Sequence, residues 1–229
     1  MSGTTIGYGY KAEQLRQTEL AKAAVCRRMM NHPLGHPAYY GVCYYGKRFK
    51  PNPDLTAIDR WRLSPTEFRK RWDLSEVRKT QDTITKFINK SFGDDVPVYW
   101  FIEKHSPQTD EDGDDVKDGH YHSNIFVGEI SDEAIEDPSP FLMPLFHKED
   151  EAGIPISMRN ASLPNLKLLL LNACIRQAKW VGSHPSSLWL QAVPPEEMEQ
   201  TISYCMKEIN ENPATFNRVI DKSSNHYLF

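Results

Sequence analysis

The stretch that decides how this chain folds is Gly119-His120-Tyr121-His122-Ser123-Asn124-Ile125-Phe126-Val127. Its aromatic and β-branched residues favour a strand, in which successive side chains point to opposite faces. His120 and His122 therefore share one face, whereas Tyr121 and Ile125 on the other face anchor the strand in a core. Two imidazoles on a rigid strand can bind a divalent metal, but this pattern alone is equally typical of two half-exposed histidines.

Length and composition are those of a soluble globular protein. The chain has 229 residues, of which 39% are hydrophobic and 25% charged. We expect an N-terminal helix and arm at 1–37, a main domain at 38–215 and a C-terminal tail at 216–229. No apolar run approaches the roughly 18 residues of a membrane span, and the polar start lacks the apolar core of a signal peptide. We therefore expect a cytoplasmic protein with no membrane partner.

Charge is distributed unevenly along the chain. The net charge is −4, from 27 Lys and Arg against 31 Asp and Glu. Residues 47–90 hold 12 Lys or Arg and 6 Asp or Glu, whereas residues 103–151 hold 15 Asp or Glu and 3 Lys. The basic segment is suited to follow a phosphate backbone, and a solvated helix face is an equal alternative.

Hydrophobic periodicity predicts a mixture of helices and strands. The predicted helices are 11–30, about 64–91, 166–181 and 195–212. The predicted strands are 38–45, 96–103, about 120–130 and 187–193. The hydrophilic stretch 106–118 predicts a loop that makes the two strands beside it antiparallel neighbours. We expect the first ten residues to be mobile and residues 131–163 to be irregular.

Glu103 is the single charge at the end of an otherwise apolar strand. Antiparallel pairing of that strand with the next would bring Glu103 beside His120 and His122. One carboxylate and two imidazoles make a three-ligand metal site with open positions, and the oxygen ligand admits Mg²⁺ or Mn²⁺. The alternatives are an edge charge or a salt bridge at Glu103, with His105 as the substitute ligand.

Tyr204 stands apart from the core stripe of its predicted helix. The stripe follows the 3.6-residue helical period and consists of Met198, Ile202, Cys205 and Ile209. Lys207, three residues after Tyr204, lies on the same side of the helix. A lysine and a nearby metal both favour the phenolate form of a tyrosine, so Tyr204 is a candidate nucleophile. The alternative is a boundary tyrosine beside a solvated lysine.

Together these features resemble the HUH endonuclease superfamily, named for its His–hydrophobic–His pair. The resemblance covers residues 38–212. Its landmarks stand in the family's order: Glu103, then His120-Tyr121-His122, then Tyr204-x-x-Lys207. The tyrosine follows the His pair, as in replication initiators and single-tyrosine transposases and unlike conjugative relaxases. Position 208 is Glu, so the paired-tyrosine spacing of some initiators is absent.

The resemblance implies an α+β fold, with a central antiparallel sheet of about five strands flanked by helices. It also implies metal-dependent nicking and joining of single-stranded DNA. Mg²⁺ or Mn²⁺ on Glu103, His120 and His122 would polarise the scissile phosphate. Tyr204 would attack it, form a 5′-phosphotyrosine link and leave a free 3′-OH, and Lys207 would stabilise the charge. Such an enzyme initiates rolling-circle replication of a plasmid, phage or virus at single-stranded or hairpin origin DNA.

The resemblance further implies contacts to the DNA backbone and a helicase partner. The candidate contact residues are Lys47, Arg48, Arg60, Arg62, Arg69 and Arg71. The sequence lacks the phosphate-binding pattern G-x-x-x-x-G-K-[ST], so we expect the helicase to come from the host.

Three other interpretations compete with replication initiation. A single-tyrosine HUH transposase would use the same chemistry. A cupin-like metalloenzyme also begins its metal site with H-x-H on a strand, although the later His147 and His184 lie in loop-like sequence. A DNA-binding module without catalysis would keep the fold but would not need the tyrosine.

Overall fold

The architecture is α+β, with helices on both faces of an antiparallel sheet. The computed structural model describes residues 5–45, 74–93, 95–104, 108–109, 115–117, 121–137, 139–140, 162–177, 188–225 and 228. The helices are α1 (Thr5–Met30), α2 (Leu74–Phe92), α3 (Glu133–Glu136), α4 (Leu163–Gln177), α5 (Pro195–Cys205), α6 (Lys207–Glu211) and α7 (Phe216–Val219). The strands are β1 (Pro37–Tyr44), β2 (Val98–Lys104), β3 (Gln108–Thr109), β4 (Asp115–Lys117), β5 (Tyr121–Gly128) and β6 (Leu188–Ala192). None of the described helices is long and apolar enough to cross a bilayer.

Strand β5, which contains residues 121–127 of the stretch that opens the sequence analysis, lies inside the sheet between β2 and β1. The strand order is β2-β5-β1-β6, and every pairing is antiparallel. The predicted antiparallel pairing of β2 and β5 is confirmed, with Glu103 directly opposite His122. Within the described chain this sheet has four strands, one fewer than the predicted number.

The connection between β2 and β5 differs from its prediction. The sequence predicts a loop at 106–118, but β3 and β4 pair there as a second, two-stranded ladder. The polar composition of this segment predicts that it is exposed. Composition does not indicate whether two parts of an exposed segment form backbone hydrogen bonds with each other.

The two faces of the sheet carry separate cores. Trp100, Ile102 and Ile125 lie on one face and pack with buried residues of α2 and α4. Phe101 and Phe126 lie on the other face and pack with α1, α5 and α6. Alternation along β5 is therefore as predicted, and it places His122 and α5 on the same side of the sheet.

An asparagine covers the middle of each edge strand. On β2, the backbone N–H of Trp100 donates to Asn225 Oδ1 over 2.7 Å, and Asn225 Nδ2 donates to the carbonyl of Trp100 over 2.8 Å. On β6, Asn172 forms the same two bonds with Leu190, at 3.0 and 3.1 Å. Each side chain thus takes the place of a neighbouring strand, which leaves fewer edge groups open to pairing.

Helix boundaries differ from the predictions at two places among the described residues. Helix α1 begins at Thr5, inside the stretch that was predicted to be mobile. The start predicted near residue 64 lies outside the described residues, whereas Gly93, at φ 118°, ends α2 as predicted. The helix predicted over 195–212 is interrupted at Met206, whose φ of −101° and ψ of 14° separate α5 from α6.

The predicted C-terminal tail is instead packed against the sheet. After a 3₁₀ turn at Pro213–Thr215, helix α7 contacts β2, and a second 3₁₀ turn at Lys222–Ser224 contacts α2. Val219 and Ile220 are buried in the same core as Phe101. Removing these side chains from water stabilises the segment in its packed position.

Candidate active site

Glu103 and His122 form a buried polar pair at one end of the sheet. Glu103 lies near the end of β2, and the antiparallel register sets it opposite His122 on β5. His122 Nε2 lies 2.7 Å from Glu103 Oε2, and the two residues are only 7% and 2% exposed. Burying a carboxylate is costly unless it is paired, so its position at the end of an apolar strand indicates a function beyond packing.

Lys207 joins this pair to the candidate nucleophile. Its Nζ donates a hydrogen bond to Tyr204 Oη over 3.1 Å and lies 3.8 Å from Glu103 Oε2. The same Nζ lies 4.1 Å from the centroid of the Tyr204 ring. A continuous series of polar contacts therefore runs from Tyr204 through Lys207 and Glu103 to His122.

The surroundings of Lys207 keep it positively charged. Burial alone lowers its pKa, but the hydrogen bond with Tyr204 and the charge of Glu103 outweigh that effect. The pKa of Lys207 therefore lies above the ordinary lysine value. Tyr204 is 61% exposed, so its hydroxyl is open to a substrate on one side and faces a cation on the other.

The donor atoms at Glu103 and His122 fit a divalent metal. Oε1 of Glu103 is buried and has no hydrogen-bond partner among the described residues, so the carboxylate keeps accepting capacity. One carboxylate and one imidazole suit Mn²⁺, and Mg²⁺ through the oxygen. Within the described ranges no group of three or more His, Cys, Asp or Glu is arranged to hold a metal. The predicted third ligand, His120, lies outside those ranges.

Tyr40 is a second tyrosine beside this site, which sequence reasoning missed. Its hydroxyl donates to Asn124 Oδ1 over 2.8 Å, and Asn124 lies two residues after His122 on the same face of β5. Burial raises the pKa of Tyr40, and Cys205 and Glu103 raise it further. Tyr40 therefore stays a phenol.

Glu208 is a further residue that the sequence did not single out. Its Oε1 accepts the backbone N–H of Lys104 over 2.8 Å, and its Oε2 forms an ion pair with Arg218. The sequence shows only that position 208 is not a tyrosine. No periodic pattern indicates that the end of β2 lies beside this helix.

The structure brings together four of the predicted site residues: Glu103, His122, Tyr204 and Lys207. Several other candidates lie outside the described residues: His105, His120, Lys47, Arg48, Arg60, Arg62, Arg69 and Arg71. Comparisons with family models, with curated proteins and with solved structures found no match. The resemblance to HUH endonucleases therefore rests on the site residues and their geometry.

Proposed function

We propose that this protein is a metal-dependent endonuclease and strand transferase acting on single-stranded DNA, with Tyr204 as its nucleophile. The observation that carries the proposal is the contact series from the exposed Tyr204 hydroxyl through Lys207 to the buried Glu103–His122 pair. A nucleophile beside a cation, with a buried carboxylate–imidazole pair behind it, suits phosphoryl transfer because the cation can stabilise charge on the attacking oxygen.

In the proposed first step, Tyr204 Oη forms a bond to the scissile phosphorus and the bond from phosphorus to the 3′ oxygen breaks. The phenol proton passes to solvent, and the departing 3′ oxygen takes up a proton to become a free 3′-OH. Lys207 Nζ, 3.1 Å from the attacking oxygen, stabilises its negative charge as the proton leaves.

In the second step, a 3′-OH attacks the phosphotyrosine and reverses these changes. A phosphodiester forms between the DNA ends, the link to Tyr204 breaks, and the phenol regains its proton. Each step breaks one ester bond to phosphorus and forms another. Joining therefore needs no nucleotide cofactor.

A divalent ion, Mg²⁺ or Mn²⁺, held by Glu103 and His122 with His120 as the predicted third ligand, would supply Lewis acidity at the scissile phosphate. Since Glu103 also lies 3.8 Å from Lys207, its carboxylate orients the lysine as well as serving as a ligand. Removing Glu103 should therefore impair both metal binding and the placement of Lys207.

The biological task we propose is initiation of rolling-circle replication in the cytoplasm of a host cell, at single-stranded or hairpin origin DNA, with a host helicase. A transposase would use the same chemistry on a different DNA. The cupin-like reading is disfavoured because the described sheet is open, with helices on both faces and asparagines on its edges.

The test is to incubate the full chain with pools of labelled single-stranded DNA, with Mn²⁺ or with EDTA, and to look for a covalent adduct on a denaturing gel. We expect an adduct only with Mn²⁺, and none from Tyr204→Phe or His122→Ala. Tyr40→Phe is the matched control and should still form it, because the Tyr40 hydroxyl bonds Asn124 and stays protonated. An adduct that persists in Tyr204→Phe would refute the assignment of the nucleophile.

A further inference from the structure

We propose that Glu208 is a positioning residue that holds Lys207 against Glu103, an inference that rests on the proposed function. Glu208 touches neither the attacking oxygen nor the predicted metal ligands in the described structure. Its effect would be exerted through the placement of the lysine.

Glu208 joins three separate parts of the chain. It lies on α6, accepts from the backbone N–H of Lys104 at the end of β2, and pairs with Arg218 on α7. The side chains of Glu208 and Arg218 are 18% and 21% exposed, so the pair is largely shielded from water. Shielding and a bond to each carboxylate oxygen make this a more defined contact than an ordinary surface ion pair.

The interruption at Met206 separates Lys207 from the longer helix α5. Lys207 is the first residue of α6, a helix of five residues that is too short to be stable by itself. The direction of Lys207 thus depends on what fixes α6 against the sheet. Ile209 is fully buried, and Asn210 Oδ1 accepts a hydrogen bond from Lys22 Nζ on α1 over 2.6 Å. Glu208 is the residue of α6 that bonds to the backbone of β2.

The spacing of the two contacts explains how Glu208 would act. Lys207 and Glu208 are consecutive on α6, and Glu103 and Lys104 are consecutive on β2. The 2.8 Å bond between Glu208 and the Lys104 amide therefore holds the neighbouring pair, Lys207 Nζ and Glu103 Oε2, at 3.8 Å. A shift of α6 would carry the cation away from Glu103 and from Tyr204 together.

The experiment measures the single-turnover rate of adduct formation with Mn²⁺, on a labelled oligonucleotide that the wild-type chain has cleaved from the pool. Glu208→Ala should slow the rate by about 10- to 100-fold, since displacement of a catalytic group by about 1 Å has such effects. Glu208→Gln keeps an oxygen for the Lys104 amide and should stay within about threefold of wild type. Glu196→Ala, an exposed glutamate on α5, is the control for loss of a surface acid.

A double-mutant cycle separates positioning from general stability. If Glu208 acts through Lys207, then Glu208→Ala should have little further effect on the rate in a Lys207→Met chain. Amide exchange at Lys104 should accelerate in Glu208→Ala and stay slow in Glu208→Gln. The positioning role alone would be overturned if the double variant lost as much rate as the product of the two single losses. A wild-type rate for Glu208→Ala would overturn it as well. A wild-type chain that forms no adduct would overturn the proposed function instead.

Discussion

At the scale of single residues, the proposed chemistry depends on Lys207, which lies beside the exposed phenol of Tyr204. Lys207 is half-exposed, yet it contacts Tyr204 and Glu103 at the same time. A cation in this position acts mainly when negative charge develops on the attacking oxygen, so it should affect the rate of reaction more than DNA binding.

Substitution of Lys207 should show this effect and its pH dependence. Lys207→Met should lower the adduct rate by about 100-fold, whereas Lys207→Arg, which keeps the charge, should lose less. Because the pKa of Lys207 is raised above 10.5, the lysine stays charged through the neutral and mildly alkaline range. The ratio of the wild-type rate to the Lys207→Met rate should therefore be constant from about pH 7 to about pH 9.

The same raised pKa fixes the sign of any effect on stability. The contribution of Lys207 to folding is fully present below pH 10.5 and is lost as the pH rises through the higher folded-state pKa. The rate measurement has its own contradicting outcome. If the ratio of the wild-type rate to the Lys207→Met rate fell towards one between neutral and mildly alkaline pH, Lys207 would not stay charged over that range.

The candidate residues that the sequence indicated, and that lie together in the structure, are those whose faces follow from periodicity. Tyr204 and Lys207 fall off the helical stripe, and Glu103 and His122 follow from strand alternation. Tyr40 could not be found in this way, because its place beside the site depends on the register between β1 and β5. Cross-strand register is a tertiary property that a single strand does not encode by itself.

At the scale of elements, Asn225 closes the outer edge of β2. The residue is fully buried and satisfies both backbone groups of Trp100. Asn225→Ala should lower the free energy of unfolding by about 2 to 4 kcal/mol, because two buried backbone groups lose their partner. Urea unfolding at an unchanged m-value measures this, with the exposed Asn217→Ala as control. A change within about 0.5 kcal/mol would show that water replaces Asn225 without cost.

The interruption between α5 and α6 shows where periodicity fails to mark a helix end. Ile202 and Cys205 before Met206 and Ile209 after it are all fully buried, so the apolar stripe continues across the break. A tight turn at Met206, whose N–H bonds Ser203 O, changes the backbone and keeps the buried face. Spacing therefore predicted the core correctly and the helix length wrongly.

At the scale of the whole molecule, the uneven charge predicts how DNA binding responds to salt. If Arg69 and Arg71 contact phosphates, replacing both with Gln should reduce the salt dependence of single-strand binding. The slope of log K against log salt should fall in magnitude by about 1.4, at roughly 0.7 for each lost contact. A chain with both Lys79→Gln and Lys86→Gln, which loses two exposed lysines of α2, is the control for net charge. An unchanged slope in the double variant would remove these arginines from the DNA contact.

The overall architecture was predictable to the level of an antiparallel sheet with helices. Alternation in β2 and β5 and the intervening connection were sufficient to predict their pairing. The packed C-terminal segment was not predictable, because α7 spans one helical turn and too few residues to show a period. Its apolar residues, Val219 and Ile220, are buried in a core formed by distant parts of the chain, and the local sequence does not show that contact.

Peptide mapping of the trapped adduct would show whether Tyr204 carries the DNA. The wild-type adduct formed with Mn²⁺ would be digested with a protease and a nuclease, and the modified residue located by mass spectrometry. We predict a nucleotide remnant on the peptide that contains Tyr204, linked through its phenolic oxygen. A remnant on Tyr40, on Tyr227 or on any other residue would contradict the account.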